Sequence, residues 1–190
     1  MTKTASKSLA TLALTVLLSS AAHAQPITVA NSVPAPNGTV TQLGDGWTFK
    51  CPKGGTYSAS VDTIDDDGEG NATLDPFFQV HDGTGLLVAT QDDNVTCTFT
   101  PLCGFTCPSA SGLPCGDKNP HLLRIGDNSG HTGCVGGGYE LTLEVKDKNG
   151  VVLPPKKVKL GGGPNRKLPK WFDPGKGRKQ GPLLDDEQIF

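Results

Sequence analysis

The sequence predicts an all-β protein: an antiparallel, jelly-roll-like β-sandwich with a disulfide-bound loop and a disordered basic C-terminal tail. Three observations carry this. Several short segments alternate apolar and polar residues with period two, as half-buried strands do. Turn-forming Gly, Pro, Asn and Asp separate them, and no helical apolar stripe occurs after the N-terminal segment.

Taken in order, the chain opens with Lys3 and Lys7, an apolar run over residues 9–18, and Ala22-His23-Ala24 before Gln25. That order of charge, grease and small residues is the pattern of a secretory signal cut after residue 24, and the run falls short of the roughly 20 apolar residues a membrane span needs. Secreted or periplasmic location is therefore expected, with no membrane span once the signal is removed. Residues 25–46 read as an N-terminal arm or edge strand, with Ile27-Thr28-Val29 and Thr39-Val40-Thr41 set between Pro and Gly breaks. The sandwich is expected over residues 47–150. In it Trp47 and Phe49 face inward together, and Tyr57, Ala59 and Val61 share one face of a second strand.

Residues 74–94 read as a β-hairpin, with strands over 76–81 and 86–90. Asp82-Gly83-Thr84-Gly85 forms the reversal, where glycine supplies positive φ cheaply. Antiparallel pairing would bring Asp75, just before the first strand, to the same end as Asp92 and Asp93, just after the second. Residues 62–71 add Asp62, Asp65, Asp66, Asp67 and Glu69. So many like charges close together repel unless a cation sits among them, and Ca2+ takes six to eight oxygens from flexible loops. Asp75, Asp92 and Asp93 are the first choice of ligands, with Asp62 and Asp65 next. The spacing is not that of an EF-hand, because the twelfth position from Asp65 is Pro76.

The six cysteines, Cys51, Cys97, Cys103, Cys107, Cys115 and Cys134, are an even set in an exported chain, which implies three disulfides of open connectivity. Residues 97–115 hold four of them among three prolines and should form an irregular loop fastened by its own bridges. A zinc site on Cys103, Cys107 and Cys115 is the competing reading. Two further strands follow, one placing Leu123 and Ile125 on a common face, the other alternating Tyr139, Leu141, Leu143 and Val145 with polar neighbours.

Charge divides the chain. Residues 25–150 hold 6 Lys and Arg against 15 Asp and Glu, whereas residues 151–190 hold 9 against 4. The acidic body and basic tail are thus physically distinct. The tail is rich in Pro and Gly, so disorder is expected, and Lys156, Lys157, Lys159, Arg166, Lys167 and Lys170 would meet a polyanion, with Trp171-Phe172 as an aromatic anchor. Nucleic acid is not expected as the partner of an exported chain. On the body, Phe77, Phe99 and Phe105 remain as surface contacts.

Several motifs together resemble the bacterial pre-peptidase C-terminal domain. They are Trp47-Thr48-Phe49, Tyr57-x-Ala59-x-Val61-Asp62, Leu74-Asp75-Pro76, Asp82-Gly83-x-Gly85-x-Leu87, Asp92-Asp93 and Gly137-Gly138-Tyr139-Glu140-Leu141-Thr142-Leu143. The resemblance spans roughly residues 39–147. It implies a secreted jelly-roll sandwich that accompanies exported hydrolases without being catalytic, serves in attachment, and has calcium-binding relatives among collagen-binding modules. The cysteine-rich insertion and the basic tail depart from the family pattern, and no peptidase domain precedes the sandwich in this sequence.

Signatures of catalysis are absent: no Gly-x-Ser-x-Gly, His-Glu-x-x-His or Cys-x-x-Cys occurs. The sequence therefore points to a non-catalytic accessory or binding module, calcium-stabilised, attached to extracellular polysaccharide or matrix protein. The alternative is a small secreted peptidase inhibitor or hydrolase that uses the cysteine-bound loop.

Overall fold

The computed structural model describes residues 24–33, 42–65, 68–101, 106–116, 120–127 and 136–164. Among these residues eleven strands and one short helix follow in chain order: β1 (Ile27–Val33), β2 (Gln42–Phe49), β3 (Thr56–Thr63), β4 (Asn71–Ala72), β5 (Pro76–His81), β6 (Leu87–Gln91), β7 (Thr100–Pro101), β8 (Ser109–Pro114), β9 (His121–Asp127), β10 (Gly137–Lys146), α1 (Pro155–Val158) and β11 (Gly161–Pro164). They form a four-stranded sheet in the order β1-β10-β3-β8, a five-stranded sheet in the order β11-β2-β9-β5-β6, and the small parallel pair β4-β7. All pairings within the two large sheets are antiparallel.

The two large sheets close over each other because each has a dry face. In β3 every second residue from Tyr57 is buried, and in β10 Tyr139, Leu141, Leu143 and Val145 point the same way. Antiparallel register sets Val61 opposite Leu141, Ala59 opposite Leu143 and Tyr57 opposite Val145, giving one continuous apolar surface. From the other sheet come Trp47 and Phe49 of β2, Phe78 and Val80 of β5, and Leu123 and Ile125 of β9, all in the same core cluster. Burying side chains of this size contributes about 1.5 to 3 kcal/mol each.

The polar content of the core is ordered. Trp47 Nε1 donates to the Tyr139 hydroxyl at 2.8 Å, and that hydroxyl donates to Asp45 Oδ2 at 2.5 Å. Asp45 and Trp47 belong to one sheet and Tyr139 to the other, so the network bolts the layers together at one register. Asp45 is 2% exposed, and burial raises its pKa while the hydrogen bond from Tyr139 partly offsets that. At the far side of the core His121 packs against Phe49 and Tyr57, with ring centroids 5.4 and 5.2 Å away.

The hairpin of residues 74–94 forms as β5 and β6, with a bulge between Val80 and His81. Asp82 shapes its reversal: Oδ1 accepts from Thr84 N at 2.8 Å and Leu86 N at 3.0 Å, and Gly85 follows at φ +91°. β6 is the outer strand of its sheet, and Leu86, Leu87 and Val88 are exposed.

Three expectations are corrected. The unstructured stretch expected from residue 151 is instead part of the sandwich over residues 151–164. Val158 is 1% exposed in the core, Leu153 and Leu160 pack against it, and β11 pairs with β2. The Gly161-Gly162-Gly163 run acts as close-packed strand rather than linker. A Cβ on Gly162 would stand 2.2 Å from Gly46 O and 2.6 Å from Trp47 Cα, so only glycine allows this approach. Arg166, Lys167, Lys170 and Trp171-Phe172 lie outside the described residues. The cysteine-rich segment is likewise not wholly irregular, since β8 within it pairs with β3. Finally, Phe77 is 5% exposed and belongs to the buried set rather than to the surface. β1 is the outer strand of the four-stranded sheet, so residues ahead of 47 belong to the sandwich itself.

Ending the chain at Gly150 should accordingly destabilise it by about 3 kcal/mol relative to a chain ending at Pro164, because Val158 and parts of Leu153 and Leu160 lose their burial. Urea unfolding of the two chains measures this. Equal midpoints would show that α1 and β11 add nothing to the fold.

Candidate metal centre

Strand direction sorts the charged residues to two ends of the sandwich. Pro76 at the start of β5 lies opposite Asp127 at the end of β9, and Phe78 lies opposite Gln91 at the end of β6. Asp75, Asp92, Asp93 and Asp127 therefore share one end. The junction of β3 and β10 lies there too, through Ile64 N donating to Gly138 O at 3.3 Å.

At this end one oxygen from each of Asp75, Asp92 and Asp93 lies within 4.8 Å of the others. Two oxygens bound to the same Ca2+ at about 2.4 Å can be separated by at most about 4.8 Å, so the spacing suits a shared hard cation. Exposure is graded, with Asp75 fully buried, Asp92 half-buried and Asp93 exposed. Without a cation, each pair of ionised carboxylates at that spacing would repel by roughly 3 kcal/mol at an effective dielectric constant near 20.

The scaffold around the cluster is tightly tied. Asp127, fully buried, accepts from Asp75 N at 3.1 Å through Oδ1 and from Gly136 N at 2.8 Å through Oδ2. Burial raises its pKa, and those two backbone bonds counter part of the rise. Asp127 thus positions the Asp75 backbone. Residue-by-residue reading overlooked it, and the available signal was an acid at the end of a predicted strand beside the Asp75-Pro76 step.

Asn94 secures the other side of the cluster. Its Nδ2 donates to Ser109 O and its Oδ1 accepts from Ser109 N, both at 2.6 Å. Val95 pairs with Cys107, and Cys107 is bridged to Cys97 with Cα atoms 5.1 Å apart. The loop bearing Asp92 and Asp93 is therefore held by hydrogen bonds and a covalent staple a few residues on.

The structure does not bring Asp62 or Asp65 into this group. Asp62 Oδ1 accepts from Thr63 N and Thr98 N, both at 2.8 Å, and its Oδ2 accepts from Thr98 Oγ1. Asp65 accepts from Gly68 N at 2.7 Å and Gly70 N at 3.2 Å, shaping its own turn. Both carboxylates accept from nearby backbone and hydroxyl donors, Asp62 at the end of β3 and Asp65 in the turn before Gly68. Asp62 also lies near the sulfurs of Cys97 and Cys107. Those sulfurs are joined to each other and offer no thiolate to a metal.

The second bridge joins Cys51 to Cys115, with Cα atoms 5.3 Å apart. Cys107 and Cys115 being so engaged, the zinc reading is overturned. Cys103 and Cys134 lie outside the described residues. His81 is buried beside the hairpin reversal, where Nδ1 lies 3.3 Å from Gly85 O, and desolvation lowers its pKa. Among the described residues no helix is long and apolar enough to cross a membrane.

Fold and site together define a class: an antiparallel β-sandwich stapled by disulfides, with three convergent carboxylates at one end. Comparison with known proteins adds no relative, for no family model, no curated protein and no solved structure matches the chain.

Proposed function

We propose that this is an exported, non-catalytic accessory module of the pre-peptidase C-terminal kind, stabilised by calcium at Asp75, Asp92 and Asp93 and attached to extracellular polysaccharide or matrix protein. The observation that carries the reading is the convergence of those three carboxylate oxygens within 4.8 Å on a scaffold fixed by Asp127 and Asn94. The donor set is all oxygen and partly open to solvent, which favours Ca2+ over softer metals and leaves room for water ligands. Two disulfides support an oxidising compartment outside the cytosol.

The test is thermal unfolding of the full chain in chelator and in calcium. A ligand bound only by the folded state adds about 2.7 kcal/mol at a hundredfold excess over its Kd, which should raise Tm by roughly 10 °C. Asp92→Asn with Asp93→Asn should abolish that increment and raise Tm in chelator, because the repulsion is relieved. Asp65→Asn should leave the calcium increment intact. Identical melting of the unaltered chain in the two conditions would remove calcium from the proposal.

A further inference from the structure

The end of the sandwich opposite the carboxylate cluster holds a cavity of about 490 Å3, lined by Lys50, Cys51, Pro52, Lys53, Asp147, Leu153 and Lys157. The geometry points to this cavity as a binding site for an anionic sugar unit, a sulfate ester or carboxylate carried on a polysaccharide. The inference rests on the attachment reading above and gives it a location and a ligand chemistry.

The first support is charge. Three lysines face one acid, and Asp147 Oδ1 already accepts from Asn149 N at 2.8 Å and Val151 N at 3.0 Å, closing its own turn. None of the three lysines forms a salt bridge with any described residue. Three positive charges against one negative leave the lining net positive, and a concave site with a net charge focuses its field on an incoming counter-ion. The size also falls in the range of small-molecule sites, about 300 to 1,000 Å3.

The second support is that the walls are fixed. Cys51 is bridged to Cys115, and Cys115 N donates to Gly55 O at 2.9 Å. Gly55 N donates to Pro52 O at 2.9 Å, which tightens the turn carrying Lys53. Lys50 N donates to Val158 O at 2.7 Å, tying the end of β2 to α1, on which Lys157 sits. Leu153 N donates to Val145 O at 2.8 Å. Lys50 and Lys53 from one segment and Lys157 from another are thus presented by one braced frame, so little backbone rearrangement is needed on binding.

The third support is the kind of lining. Among the described residues no aromatic ring lines the cavity, so they offer a nucleobase no stacking platform. No arginine is among those lining residues either, so they offer no bidentate fork for a phosphate group. Leu153, Pro52 and Cys51 offer an apolar floor for the C–H face of a sugar ring, and lysines supply point charges to groups distributed around it. Lys148, Lys156 and Lys159 are exposed close by in sequence and extend the positive surface over which a polymer would run.

Titration calorimetry of the full chain with a sulfated and a uronate-containing oligosaccharide tests this, with a neutral oligosaccharide and inorganic phosphate as controls. The variant K50Q/K53Q/K157Q removes three charges from the lining. The variant K148Q/K156Q/K159Q removes the same charge from outside it. We expect the first to weaken binding by about tenfold or more and the second by less than about threefold, with both melting like the unaltered chain. Equal losses in the two variants would overturn the cavity and leave attachment by general charge standing. No binding of either charged oligosaccharide by the unaltered chain would overturn the attachment reading as well. Displacement of the sugar by inorganic phosphate at equal concentration would assign the cavity to a free anion and overturn the polysaccharide.

Discussion

Replacing Cys51 and Cys115 together by serine should lower the stability of the sandwich by about 4 kcal/mol and its Tm by roughly 15 °C. The bridge closes a loop spanning 64 positions, and the chain-entropy relation gives about 4 kcal/mol for a loop of that length. The same relation gives about 3 kcal/mol for Cys97–Cys107, whose separation is 10. The larger cost should therefore follow the longer loop, and unfolding of the two double variants under non-reducing conditions ranks them. Both members of the first bridge are nearly inaccessible, so the serine hydroxyls would also enter the core. Loss of less than about 1 kcal/mol would mean that the neighbouring hydrogen bonds hold this end without the covalent link.

Tyr139→Phe should cost about 3 kcal/mol at neutral pH, because one lost hydroxyl strips a partner from both Trp47 Nε1 and the Asp45 carboxylate. The companion change Asp45→Asn gives the pH dependence. Burial raises the Asp45 pKa in the folded protein, so the folded state holds a proton that the unfolded chain has released. Below the ordinary carboxylate value both states are protonated and the site carries no penalty. As pH rises from there through the raised folded pKa, stability is lost, and above it the loss is complete. The Tm of Asp45→Asn minus that of the unaltered chain should therefore grow as pH rises from the ordinary carboxylate range toward neutrality. A difference that shrinks as pH rises would contradict the assignment.

Elements with a strict two-residue period could be read from the sequence before folding. β3 and β10 bury the faces their alternation predicts, and the turn chemistry of Asp82 and Gly85 places the β5-β6 hairpin. Asp75, Asp92 and Asp93 come to one end because the hairpin pairs their strands antiparallel, while Asp127 and Asn94 complete their placement. What escaped lacks a local pattern. β8, Ser-Ala-Ser-Gly-Leu-Pro, is small and polar, breaks register opposite Tyr57 and Ala59, and includes Gly112 at φ +66°. β11 looks like a linker because its glycines serve the backbone of another strand, a fact visible only once Trp47 is in place. Charge density alone groups Asp62 and Asp65 with the cation ligands, yet their oxygens are taken by neighbouring backbone and hydroxyl donors that composition does not reveal.

The pairing of β1 with β10 sets Val29 beside Leu141, joining the first described strand to the last long one. During synthesis or passage through a pore, the leading strand must wait for most of the chain to emerge before it can dock. Such distant pairing slows folding, and until Leu141 arrives the flank of β1 is open to a neighbouring molecule. The order of manufacture thus runs against the order of assembly: what comes out first is finished last, and a chain cut short before β10 leaves its own beginning unanchored.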